Sequence, residues 1–209
     1  MRVISGIAKG RPLKAPPTFN TRPMTDRLKT SLFDTLVPYG IEGARVLDLY
    51  AGSGSLGIEM LSRGADWVDF VEQSPQVCRI IQDNLKSTGL GDRAHVYKMY
   101  VARFLSMKMG DSHAVAKSGA TEAPSNSAGG EYDIIILDPP YADPAIQDTL
   151  EAIASSSLLA TDGYLVIGHT THVKLNDDYG GGRLRRSRHK VMGGSAFSIY
   201  ERVSEGEGE

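Results

Sequence analysis

Arg45-Val-Leu-Asp-Leu-Tyr-Ala-Gly-Ser-Gly-Ser-Leu-Gly57 is the stretch on which the fold turns. Val46 to Leu49 reads as a buried strand. A glycine-rich turn follows, and Ser55 opens a helix. Gly52-x-Gly54-x-x-Gly57 is the dinucleotide-binding pattern, and here it lies between a strand and a helix, the context that gives it meaning. Glu72 closes the next apolar run, Trp67 to Val71, where an acid would meet ribose hydroxyls.

Asp48 bears on the ligand. A pyrophosphate at a helix N-terminus calls for donors and positive potential, not a carboxylate. S-adenosylmethionine has no phosphate and carries an ammonium and a sulfonium, both favoured by a nearby carboxylate. Asp48 therefore tips the reading from a nicotinamide cofactor to S-adenosylmethionine. The competing role for Asp48 is to cap the turn.

Tyr132-Asp-Ile-Ile-Ile-Leu137 is a run fit for a strand buried on both faces, and it ends in Asp138-Pro139-Pro140-Tyr141. At the carboxyl end of a parallel strand this tetrapeptide would face the cofactor crevice. It resembles the (D/N/S)PP(Y/F/W) motif of amino methyltransferases, which act on exocyclic or amide nitrogens.

The 209 residues suit one domain with a small appendage, and a hydrophobic content of 41% is ordinary for a globular chain. The net charge of −2 hides an asymmetry. No acid precedes Asp26, whereas Arg2, Lys9, Arg11, Lys14 and Arg22 are basic. Glu205, Glu207 and Glu209 make residues 204–209 an acidic, glycine-containing tail expected to be disordered. Cys78 is the single cysteine, which excludes an intrachain disulfide, and with no Cys/His cluster no metal site is expected. No signal peptide or membrane-length apolar run is visible, so a cytoplasmic protein is expected.

Residues 1–17 alternate apolar and basic residues about a Lys9-Gly10 turn and read as a short hairpin. Thr25 or Asp26 caps a helix to about Val37, with Leu28, Leu32, Phe33 and Leu36 on one face. Further helices are expected from Ser55 to Ser62, Pro75 to Ser87, Tyr100 to Met107 and Pro144 to Ser156. Strands are expected at 67–71, 94–99, 132–137 and 164–167, with a closing antiparallel pair at 183–191 and 196–203. Residues 111–130, rich in Ser, Ala and Gly, read as an inserted loop that a short linker could replace. The alternation implies an α/β, Rossmann-like doubly wound sheet with an antiparallel edge. The division expected is 1–38 as a basic, RNA-binding hairpin and helix, 39–203 as the catalytic domain, and 204–209 as the tail.

Several stretches together resemble the RsmD family, whose members methylate N2 of a guanine in 16S ribosomal RNA. They are Val3-Ile-Ser-Gly with Lys9-Gly-Arg-Pro-Leu; Thr21-Arg-Pro-Met-Thr-Asp-Arg27; Asp48 through Glu59; Ser62-Arg-Gly-Ala65; Asp138-Pro-Pro-Tyr141; and Ser198-Ile-Tyr-Glu-Arg202. The resemblance spans nearly the whole chain and implies a class I S-adenosylmethionine-dependent methyltransferase. It also implies a 16S RNA partner, in an assembling small subunit, and a monomer. Cofactor contacts are expected from Asp48, Tyr50, Ala51, Gly52, Ser53, Gly54, Gly57, Glu72, Gln73, Tyr100, Val101 and Asp138. Catalysis is expected from Asp138, Pro139, Pro140 and Tyr141, and RNA contact from Arg2, Lys9, Arg11, Lys14, Arg22 and Arg27. The chain departs from the family in places. Tyr100-Val101 stands where an acid or amide commonly follows the third strand. Gly168 stands where a glutamate often ends the fifth, and Met192-Gly193-Gly194 replaces a tyrosine-containing turn.

The guanine N2 lone pair is delocalised and weakly nucleophilic. The Asp138 carboxylate and the Pro139 carbonyl would accept its hydrogens and localise it. The double proline would aim that carbonyl in advance, and the Tyr141 ring would stack on the base. Rival readings are a DNA or other RNA amino methyltransferase, a protein-glutamine methyltransferase, and a non-catalytic RNA-assembly factor. The basic run Arg183, Arg185, Arg186, Arg188, Lys190 is either a second RNA surface or a charge-protected edge strand.

Overall fold

The computed structural model describes residues 1–16, 24, 26–110, 132–140 and 143–203. The inserted loop, the acidic tail, Arg22 and Tyr141 lie outside the described residues. An eight-stranded sheet is sandwiched between two helical layers. In chain order the elements are α1 (Asp26–Leu36), β1 (Arg45–Leu49), α2 (Ser55–Ser62), β2 (Trp67–Glu72), α3 (Pro75–Thr88) and β3 (Ala94–Lys98). There follow α4 (Val101–Gly110), β4 (Tyr132–Leu137), α5 (Ile146–Ser155), β5 (Leu159–Thr170), β6 (Asp178–Tyr179), β7 (Leu184–Met192) and β8 (Ser195–Arg202). The strand order is β3-β2-β1-β4-β5-β8-β7-β6. β1 to β5 are mutually parallel, while β8, β7 and β6 join antiparallel. The order in which strands are added reverses between β1 and β4, and parallel sheets bind ligands at such a switch point.

The apolar patterns explain the layers. Val46, Val68, Phe70, Ile134, Ile136 and Val166 point to one face, under Leu28, Leu32 and Phe33 of α1, Leu61 of α2 and Ile81 of α3. Leu47, Leu49, Ile135, Leu137, Leu165 and Ile167 point to the other, under Phe104 of α4 and Leu150 and Ile153 of α5. Such continuous apolar strands suit a sheet covered on both sides. Ser74 caps α3 by accepting from the Val77 amide, with Pro75 in its first turn, and Gly89 ends it at φ 72°.

The antiparallel edge is three strands deep rather than a terminal pair, and β8 inserts between β5 and β7. Two-residue β6 is too short to leave a pattern in sequence. β5 begins at Leu159, five residues before the expected start, because Leu159 already pairs with Tyr132, and the ladder then slips before Tyr164 meets Ile134. A Cβ on Gly163 would lie 2.9 Å from the Asp133 carbonyl, so the close approach of β4 there depends on glycine.

The N-terminal segment has one antiparallel bridge, Arg2 to Pro12, and packs on α2 and α3. Val3, Ala8 and Leu13 are buried in the same core as α2. Glu59 is fully buried and accepts from the Ile4 amide (2.7 Å) and the Ser5 amide (2.9 Å). It also pairs with Lys29 (3.3 Å) and Arg63 (2.9 Å). Among the described residues no helix is long and apolar enough to cross a membrane, and no cluster of acids, His and Cys could hold a metal.

Candidate active site

A cavity of about 380 Å³ opens at the carboxyl ends of β1, β2 and β4. Its lining includes Asp48, Tyr50, Ala51, Gly52, Ser53, Glu72, Gln73, Tyr100, Val101, Asp138, Pro139 and Pro140. The size suits a small ligand or cofactor. Gly54 and Gly57, also expected at the cofactor, instead shape the turn behind the cavity.

The glycine turn is built residue by residue. Tyr50 adopts φ 57°, the one non-glycine positive φ among the described residues, and the turn continues through Gly52 (φ 54°) and Gly54 (φ 75°). Backbone held in that region by a bulky residue is characteristic of a constrained functional loop. A Cβ on Gly57 would come within 2.4 Å of the Phe70 ring, so its absence lets α2 lie close against β2. Asp48 accepts from the Gly57 amide at 2.9 Å, so it does cap the turn, and it also lines the cavity. Glu72 accepts from the Gly52 amide (3.1 Å) and the Ser74 amide (2.8 Å), tying the turn to the start of α3.

Four carboxylates share this cavity: Asp48, Glu72, Asp138 and Asp143. Burial, and then the charges of Asp138 and Glu72, push Asp48 well above the usual carboxylate range, against the pull of the Gly57 amide. Burial pushes Asp138 up to about 6. A cationic ligand would relieve this repulsion, whereas a pyrophosphate would aggravate it. The sulfonium and ammonium of S-adenosylmethionine fit that field, and the Glu72 carboxylate lines the same cavity.

Asp138 has no hydrogen-bond partner among the described residues. It lies against β5, where a Cβ on Gly168 would stand 2.7 Å from its Oδ1 and 2.9 Å from Met24 Cε. Gly168 is therefore the opening that admits this carboxylate, which accounts for the departure from a glutamate there. Pro139 is buried, and the Pro140 carbonyl accepts from the Asp143 amide (2.9 Å), closing the turn.

Several functional neighbours escaped the sequence reading. Met1, Met24, Val71 and Met99 also line the cavity. Buried Asn84 accepts from the Lys14 amide (2.8 Å) and donates to the carbonyls of Lys14 (3.0 Å) and Ser53 (2.9 Å), clipping the N-terminal segment to the glycine turn. An asparagine within the apolar stripe of α3 was the available signal. Lys29 donates to the Ser55 carbonyl at the first residue of α2 (3.0 Å).

Of the expected RNA-contacting residues, Arg2, Lys9, Arg11, Lys14 and Arg27 are exposed. Arg11 donates to the Ser87 carbonyl (2.7 Å) and Lys14 pairs with Asp83 (2.8 Å), so both lean on α3.

The family model described as "Conserved hypothetical protein 95" matches residues 1–201. This chain belongs to that family. It is the family to which the motifs pointed under the name RsmD. YlbH of Bacillus subtilis is 38% identical over 97% of this chain and 99% of its own length. Ribosomal RNA small subunit methyltransferase D of Escherichia coli is 28% identical over 100% of this chain and 93% of its own. The solved structure of yhhF from Escherichia coli superposes with a TM-score of 0.75 at 27% identity, covering 98% of this chain and 99% of that one. The fold, the turn and the family together make this chain a class I methyltransferase that uses S-adenosylmethionine.

Glu72→Ala is expected to weaken S-adenosylhomocysteine binding about 10–100-fold, since a charge-assisted contact contributes about 1.5–3 kcal/mol. Calorimetry on the folded variant is the check. An unchanged affinity would remove Glu72 from the cofactor site.

Proposed function

We propose that this protein transfers a methyl group from S-adenosylmethionine to the exocyclic N2 of a guanine in small-subunit ribosomal RNA. The observation that carries the reading is the Asp138 carboxylate, set into the same cavity as the glycine turn and Glu72 and held by hydrogen bonds to no described residue. Similarity over the full chain to ribosomal RNA small subunit methyltransferase D supports the substrate class.

When bound, the cofactor supplies a methyl group already activated by its sulfonium. The protein's part is to orient the base. Asp138, ionised, accepts a hydrogen of the amino group, and the Pro139 carbonyl accepts the other, so the lone pair is localised on nitrogen. The two prolines hold that carbonyl in place before the base arrives. As positive charge develops on nitrogen, the Asp138 carboxylate stabilises it and then takes the proton or passes it to water. Asp138 ionises only above about pH 6 in the free protein, so kcat/KM should fall as pH drops below that value. Tyr141 supplies a stacking ring for a base that is flipped or unpaired. Residues 1–38 form the RNA-facing part of a monomer, with Arg2, Lys9, Arg22 and Arg27 as phosphate contacts.

Tritiated-methyl transfer to free 16S RNA, to small-subunit protein complexes and to DNA, followed by nucleoside analysis, tests the reading. The expected product is N2-methylguanosine in the RNA. Label in a DNA base, in another RNA base or in protein glutamine would replace it with one of the rival amino methyltransferase readings, and no transfer at all would favour the non-catalytic assembly factor.

A further inference from the structure

A row of paired residues leads from the catalytic carboxylate to the basic edge of the sheet. Leu137 pairs with Ile167, so Asp138 comes opposite Gly168. Gly168 pairs with Phe197, and Phe197 with Lys190. All of these lie on the α1 face. Gly168 opens toward Asp138 and Met24, and Phe197 is buried in the core beneath α1. Lys190 shares that face because directly paired residues point the same way. At about 4.8 Å per strand, three steps place the Lys190 backbone about 14 Å from that of Asp138.

Arg188 joins Lys190 on this face for a second reason. The ladder slips between Arg186 and Arg188, so Arg188 pairs with Ile199, another residue of the α1-side core. Both side chains are exposed, and neither makes an ion pair among the described residues. The other arginines of the strand differ. Arg186, opposite Tyr200 on the other face, is bound by Asp177, and Arg185, opposite Glu201 and in line with Tyr164, lies toward the end of the strand away from Asp138. Arg188 and Lys190 are thus the cations of β7 that this face brings nearest the active site. Exposed Arg27, in the first turn of α1, adds to the same side.

We propose that Arg188 and Lys190 form a phosphate-binding ledge for the RNA strand flanking the target base. This rests on the RNA reading above. A base inserted at Asp138 leaves its neighbours' phosphates a few nucleotides along the chain, and the sheet edge at this distance meets them with two cations that no described residue neutralises. The ledge also accounts for the bulge in β7, which turns Arg188 and Lys190 together onto the α1 face, away from the face of Arg186.

The test is RNA affinity as a function of salt for wild type, Arg188→Gln/Lys190→Gln and Arg185→Gln, with S-adenosylhomocysteine affinity and thermal stability measured on each. Loss of two phosphate contacts should lower the slope of log affinity against log salt by about 1.4–1.8, since each contributes about 0.7–0.9. Arg185→Gln should leave the slope unchanged, and cofactor affinity should be equal in all three. A double variant with the wild-type slope, when wild type binds and methylates RNA, overturns the ledge alone. Wild type that neither binds nor methylates RNA overturns the RNA reading beneath it, and the ledge with it.

Discussion

Asp138→Asn should slow methyl transfer by about 10²–10³-fold and at the same time make the protein more stable at pH 7. The loss follows from removing the charge opposite the developing positive nitrogen, where a single electrostatic contact is worth about 10²–10³ in rate. The gain follows from linkage. The Asp138 carboxyl titrates at about 6 in the folded protein against an ordinary value of 3.8, because burial disfavours its ionised form. Between these values the native state binds more protons than the unfolded chain, so stability falls as pH rises through that window and is level above it. Two pH units at about 1.4 kcal/mol each set an upper limit near 3 kcal/mol, and partial exposure reduces this to about 2 kcal/mol. For a chain of this size that is a rise of about 4–8 °C in Tm at pH 7, vanishing near pH 4. Calorimetric scans at both pH values, beside transfer assays, decide it. An Asn variant no more stable at pH 7 than at pH 4, relative to wild type, would show that the carboxylate carries no burial penalty.

Glu59→Ala should be the most destabilising single change, at about 3–5 kcal/mol, because it strips a fully buried pair of one partner. Lys29 would remain 1% exposed with its principal counter-ion gone, and burial already holds its ammonium below the usual range. The Ile4 and Ser5 amides would lose their acceptor as well. Urea unfolding followed by circular dichroism measures the loss. Lys29→Met/Glu59→Met removes both charges and should recover at least half of it, since a buried ion pair is replaceable by apolar packing. A cost below about 1 kcal/mol for Glu59→Ala, or a double variant worse than the single, would mean the network is relaxed by solvent. The junction matters to function because the segment fixed by Glu59 reaches the cavity at Met1 and the glycine turn through Lys14 and Asn84.

Much of this was open to reading along the chain. The glycine turn, the continuous apolar strands and the Asp-Pro-Pro ending are local: each is set by neighbours a few residues away, through backbone angles, period and side-chain volume. Hence β1, α2, β2, α3 and β4 fall within a residue of their expected bounds, and the class of fold and cofactor followed from their order. Contacts between distant segments left no such trace. Arg11 and Lys14 looked like free charges until α3 was seen to hold them. Gly168 looked like a missing glutamate until Asp138 was found in its place. Glu59 stood unexplained in an apolar helix until residues 4, 5, 29 and 63 converged on it. The sequence alone determined the Rossmann-like order of elements and the chemistry of the turn and tetrapeptide, because those are short-range properties of the backbone. Only the tertiary structure decided which charges are neutralised, which carboxylates repel one another, and which cations share a face with Asp138, because these depend on distances that strand pairing and burial set across the sheet.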